Sequence, residues 1–282
     1  MRDALGLIPS EETVRQILYG EIPIPEGTDP YARKLLNALE LPEELRTLPD
    51  YMLSPTILES EHVEQWKKQK EATAAEPSGL SFTHYKAGSY DKDITEIDVL
   101  LRNTPREFGF SPPSYQVITD FYILKKAGVY DIEQMRIIQL MDAEFNSNNK
   151  FDGRAMMRNA EKHKMLRKEQ MGSRKDQHSG KGGLAKTLAL DILRQKVRAG
   201  GMISNDAKSC YDRVVHIMAF LLAMTRMGVP YHVLICLFLT LQAAVHFIRT
   251  GWGVSTTSYG GQGSDQTLDE ARPFGRLSAQ CY

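Results

Sequence analysis

The chain has 282 residues, 42% hydrophobic and 25% charged, with 35 basic and 35 acidic side chains and a formal net charge of zero. That length suffices for one or two buried cores, and the even balance excludes a protein whose whole surface coats nucleic acid. Three cysteines, at 210, 236 and 281, give neither a disulfide framework nor a CxxC zinc pattern, and the N-terminus has no apolar signal core, so free thiols and an intracellular setting, cytoplasm or nucleus, are expected.

Residues 1–76 read as an acidic, helical N-terminal extension; 1–80 hold 15 acidic against 8 basic side chains. Ser10 is placed to cap a helix over 11–19, with Gly20 as its stop, and further helices are expected over 31–40 and 60–75. The second region, 77–200, has a helix over 93–103, whose apolar residues at 94, 97, 100 and 101 share one face and which Pro105 should end. Strand-like runs at 119–125 and 135–141, linked through Ala127 and Gly128, predict a hairpin. A basic helix over 153–169 and an amphipathic helix over 184–197 follow, the latter with Leu184, Leu188 and Ile192 on one stripe. Residues 154–198 hold 13 basic against 4 acidic side chains. Such a surplus can track a phosphate backbone, although a solvated basic face is the ordinary alternative.

The third region, 201–253, begins with a β-leaning lead-in at 201–203 and continues as two helices, 214–227 and 229–248, broken at Gly228-Val229-Pro230. The apolar core of the second helix is about 13 residues long, too short for a membrane span of about 20. Residues 255–282 contain no Val, Ile or Met, and 254–282 is expected to lack stable structure.

Chemistry concentrates at Asp206 and Tyr211-Asp212, which follow the 201–203 lead-in. A carboxylate at a strand end suits a hard cation such as Mg²⁺, and an aromatic just past it could wall a nucleotide sugar. An N-cap or turn role for Asp206 is the plain alternative. The spacing resembles motif A of the reverse transcriptase palm: Asp, four residues, Phe or Tyr, then Asp. Upstream, Phe121-Tyr122-Ile123-Leu124-Lys125-Lys126-Ala127-Gly128 followed by Met135-Arg136-Ile137-Ile138-Gln139-Leu140 is similar to the fingers hairpin of non-LTR retroelement enzymes. Ile137 stands where many members have Pro. Between the two lies Glu169-Gln170-Met171-Gly172-Ser173-Arg174-Lys175, similar to the family's Gln-Tyr/Phe-Gly-Phe/Ser-Arg-Lys, and Pro77-Ser78-Gly79-Leu80 to Tyr85-Lys86 resembles its opening element. Each element is loose, but the four occur in family order across 77–250.

The resemblance implies an α+β fold, a partial right-hand polymerase with a fingers-like region over 77–200 and a partial palm over 201–253. It implies a family reaction, RNA-directed DNA synthesis, with RNA template, DNA primer, dNTP and Mg²⁺ as partners. By the same resemblance Asp206 is the catalytic metal ligand and Arg136 contacts nucleotide phosphates, while Lys125 and Lys126 either join it or are simply solvated at the hairpin end. Tyr211 stands beside the sugar or merely packs on the sheet. Arg174, Lys175 and Lys181 contact nucleic acid or simply face solvent. The pattern then stops: the family's motif C Asp-Asp pair is absent, the only acids after Asp212 being Asp265, Asp269 and Glu270. The chain is therefore expected to be C-terminally truncated or frame-shifted and inactive alone, because two-metal phosphoryl transfer needs both carboxylate sets. The open edge of the 201–206 strand would favour self-association. The competing readings are a non-catalytic nucleic-acid-binding module and a helical protein-interaction remnant. A P-loop at Gly180-Lys181 is rejected on spacing, and the seven histidines show no zinc pattern.

Overall fold

A computed structural model describes residues 8–70, 79–131, 134–172, 174, 176–203, 217–250 and 253–260. The fold is α+β, rich in helix, around one mixed four-stranded sheet. Ser10 caps α1 (Glu11–Leu18) by accepting the Thr13 N–H, and Glu11 and Glu12 lie at the positive helix end. Val14 and Leu18, one turn apart, are buried with Leu221, Val233 and Leu234, so the acidic N-terminal region shares a core with the later chain. Asp29 caps α2 (Pro30–Leu39), whose first position is the proline, and a single turn, α3, covers Glu43–Arg46. α4 (Glu59–Lys67) buries Trp66, whose ring stacks on Tyr85 of α5 (Phe82–Gly88) at 4.7 Å and 10°.

α6 (Lys92–Phe108) passes through Pro105 instead of ending there, and stops at Gly109, whose φ of 66° is the left-handed cap. A proline near a helix end removes one hydrogen bond only, whereas an αL glycine with its N–H on the Pro105 carbonyl ends the helix outright. The orientation of α6 is also the reverse of what its apolar spacing suggests. Thr95, Arg102, Asn103 and Arg106 point inward, and Ile94, Ile97, Leu100 and Leu101 point outward. The inward face is satisfied by polar partners. Arg106 forks onto Asp152 at 2.7 and 2.8 Å, and Asn103 exchanges two 2.9 Å bonds with the backbone of Ile57. Arg102 donates to Gln65 at 2.8 Å and Ser147 at 3.3 Å.

The predicted hairpin forms. β1 (Val117–Leu124) pairs antiparallel with β2 (Met135–Leu140), from Thr119↔Leu140 to Leu124↔Met135. β-branched and aromatic side chains suit both strands. α7 (Ala143–Lys162) follows, capped by Asp142, then α8 (Ser179–Gln195), which buries no residue. Beyond a π-helical segment, Ile217–Met224, α9 (Tyr231–Gln242) carries Val233, Leu234, Cys236, Phe238 and Leu241 into the core. Burial pushes the Cys236 thiol up to about 12, which leaves it a packing group.

Three sequence expectations are corrected here. The helix expected over 229–248 stops at Gln242, and β3 (Val245–Thr250) lies parallel to β1 from Val117↔Val245 to Phe121↔Arg249. The apolar run is ambiguous locally, and the open edge of β1 decides it in favour of strand. Residues 255–260, expected to lack structure, belong to β4 (Gly253–Gly260), antiparallel to β3, giving the order β2-β1-β3-β4. Thr256, Thr257 and Tyr259 favour strands, and an edge strand needs few apolar side chains. Residues 201–203 form no strand, and Ile203 is 97% exposed; the place beside β1 belongs to β3. The sheet edges are β2 and β4.

A buried polar link fastens the late strands. Asp120 of β1 is fully buried and accepts the Tyr259 hydroxyl of β4. His246 of β3 lies between them, its Nδ1 3.3 Å from the carboxylate and its ring 4.9 Å from that of Tyr259. Burial, then Asp120, push the Tyr259 phenol far up. No described helix is long and apolar enough to cross a membrane.

Candidate nucleic-acid interface

Asp206, Tyr211 and Lys175 lie outside the described residues, and with them the expected Mg²⁺ site. Among the described residues no group of three His, Cys, Asp or Glu side chains could hold a metal ion. The other expected residues fall into two places with different bonding.

The first is the loop end of the hairpin, next to the Leu124↔Met135 pair. Lys125 and Lys126 follow the last residue of β1, and Arg136, opposite Ile123, is the second residue of β2. All three are exposed. On one face of the sheet the register also brings together Phe121, Ile123, Arg136, Ile138 and Arg249. Arg249 projects over the Phe121 ring at 5.3 Å, so guanidinium groups flank an apolar and aromatic strip on either side of β1. Sequence reading missed Phe121 and Arg249 in this role because 245–250 looked helical; Val245, Phe247 and Arg249, two apart and so on one face of a strand, were the available signal.

The second is the turn from α7 to α8. Arg174 is committed there: its guanidinium forks onto Glu161, with Nη2 to Oε2 at 2.8 Å, and Nη1 donates to the carbonyls of Arg167 at 2.9 Å and Gln170 at 3.2 Å. The bond to Glu161 raises the Arg174 pKa and lowers that of the carboxyl. Lys181 is tied down similarly, donating to the Asp176 carbonyl at 2.7 Å and Gln177 Oε1 at 3.2 Å. These two cations brace the turn.

The structure adds a basic ridge that residue counting did not locate. Lys150, Arg154, Arg158 and Lys162 recur every fourth residue of α7 and so share one face, each step rising about 6 Å. Arg154, Arg158 and Lys162 are exposed; Lys150 is half-buried and donates to Gln69 at 3.1 Å. Burial, then Arg154 and Lys70, hold the Lys150 ammonium below its usual range. Like charges four apart on a helix repel. The neighbouring acids are used elsewhere, Glu161 by Arg174 and Asp152 by Arg106. The opposite face of α7 buries Phe145, Met156 and Ala160, which fixes the ridge on the body. A rigid row of cations with no acidic side-chain partner among the described residues is suited to a polyanion.

No family model matches the chain, and no curated protein matches it.

Proposed function

We propose that the chain is a reverse-transcriptase-like protein of the non-LTR retroelement type that binds nucleic acid and does not extend a primer by itself. The observation that carries the binding is the α7 ridge of Arg154, Arg158 and Lys162, exposed cations one helical turn apart. The hairpin supports the polymerase-like part of the reading: Lys125, Lys126 and Arg136 lie at its loop end, and the family's fingers hairpin is expected to meet nucleotide phosphates. An Arg fork suits bidentate phosphate contact, and Phe121 with Arg249 offers a surface on which a base can stack. In this reading Asp206 holds Mg²⁺ and Tyr211 stands beside the sugar of a dNTP. The half-complete carboxylate set leaves RNA-directed DNA synthesis without its second metal anchor.

Two measurements on the purified chain test this. Fluorescence anisotropy with a dye-labelled single-stranded RNA should show binding whose log affinity falls linearly with log salt; affinity indifferent to salt overturns the electrostatic interface. Primer extension with Mg²⁺ or Mn²⁺ should give no product, and extension that survives Asp206→Ala would remove the metal role from that residue.

A further inference from the structure

α6 is amphipathic in the reverse sense, and this reversal makes its outer face an unfilled contact. Ile94, Ile97, Leu100 and Leu101 are between 47% and 67% exposed, while the buried face is a bonded polar set. α8 presents a second open stripe: Leu184, Leu188 and Ile192, spaced four apart, are between 51% and 59% exposed, and the helix buries nothing. Both stripes stay open among the described residues. Their rims carry opposite charge. Around the α6 stripe lie Asp93, Glu96, Asp98 and Glu107 against Lys92 alone. On α8 lie Lys181, Lys186 and Arg194, with Lys196 at the C-cap, against Asp191.

We propose that α8 of a second copy of this chain packs on the α6 stripe, with the reciprocal contact formed by two-fold symmetry. Apolar rows on the two helices then cover one another, and acidic rim meets basic rim. Pairing α6 with α6, or α8 with α8, would leave the other pair of stripes open and oppose like charges, which costs binding free energy. A two-fold arrangement makes the contact twice and closes the assembly. Doubling also brings the covered area toward the roughly 1,000 Å² that a specific interface needs.

Mixing complementary charge reversals tests this on the full chain. One variant carries Asp93→Lys and Glu96→Lys on α6; the other carries Lys186→Glu and Lys196→Glu on α8. Sedimentation equilibrium should show a concentration-dependent dimer for the unaltered chain and a monomer for each variant alone. An equimolar mixture of the two should return to dimer, because each α6 then meets an α8 of opposite charge. Circular dichroism confirms that both variants keep the helical fold, which surface substitutions should leave intact. A monomeric unaltered chain overturns the proposal. So does a variant that dimerises alone, or a mixture that stays monomeric, as it would if α8 closed on α6 of its own chain.

Discussion

The ridge on α7 and the turn that follows it belong to one basic stretch, yet their cations do different work. Arg154, Arg158 and Lys162 stand in a row on a helix whose nearest acids are engaged elsewhere. Arg174 and Lys181 spend their donors on Glu161, Gln177 and nearby carbonyls. A local surplus of charge locates a region, while hydrogen bonding decides which cations remain available to a ligand. A cation already forked onto a carboxylate adds little when a phosphate arrives.

The largest expected effect lies beneath the ridge. Arg106 and Asp152 join α6 to the inner side of α7, with the Arg106 side chain only 2% exposed. Arg106→Ala leaves the carboxylate without its partner and should cost about 3–5 kcal/mol in urea unfolding; nucleic-acid binding should be lost together with the fold. Next is the ridge itself. Reversing Arg154, Arg158 and Lys162 to Glu should reduce affinity for single-stranded RNA by about 100-fold at low salt while leaving the unfolding midpoint nearly unchanged. Unaltered affinity would move the interface elsewhere. Phe121→Ala separates stacking from charge. Loss of a base-stacking ring costs about 1–3 kcal/mol of binding with little change in salt slope, and full affinity in that variant would confine the interface to α7.

The last effect is a pH dependence at the start of the ridge helix. Burial pushes the Glu144 carboxyl up to about 7, against the Tyr115 hydroxyl that donates to it and with Asp142 nearby. The folded protein therefore holds a proton that the unfolded chain releases near its ordinary carboxylate pKa. The resulting stabilisation is fully present below about pH 4.5 and is lost as pH rises through about 7. His62 works in the other direction: burial and Arg102 hold it at about 4, so its contribution is lost as pH falls below about 6.5. Comparing urea midpoints of Glu144→Gln with the unaltered chain isolates the first group. The variant should lose the decline between pH 5 and 7, and an unchanged difference across that window would show that Glu144 titrates normally.

What was legible in the sequence was mostly local. Ser10 before two glutamates marks α1, because a cap acts within one turn. The β-branched and aromatic runs around Phe121 and Ile137 mark the hairpin. Facing direction was not legible. The spacing of Ile94, Ile97 and Leu101 defines a stripe but cannot say that Arg102, Asn103 and Arg106 will find buried partners on the other side. β3 was hidden inside a continuous apolar run, where helix and strand look alike until the edge of β1 selects between them. The ridge was hidden for a simpler reason. Counting charge over 154–198 averages the row on α7 with cations that are already bonded. Asp120 lies far in sequence from His246 and Tyr259, so only the sheet register brings the three together.

In the proposed interface the exposed row on α7, and not the bonded cations of the turn, meets the phosphates. The direct test is the salt dependence of binding to one single-stranded RNA for three proteins: the unaltered chain, a variant with Arg154, Arg158 and Lys162 changed to Ala, and a variant with Arg174 and Lys181 changed to Ala. Each lost phosphate contact lowers the log–log slope by about 0.7 on a single strand. The ridge variant should therefore lose about two from its slope, and the turn variant should keep that of the unaltered chain. A turn variant that loses slope while the ridge variant keeps it would contradict the account.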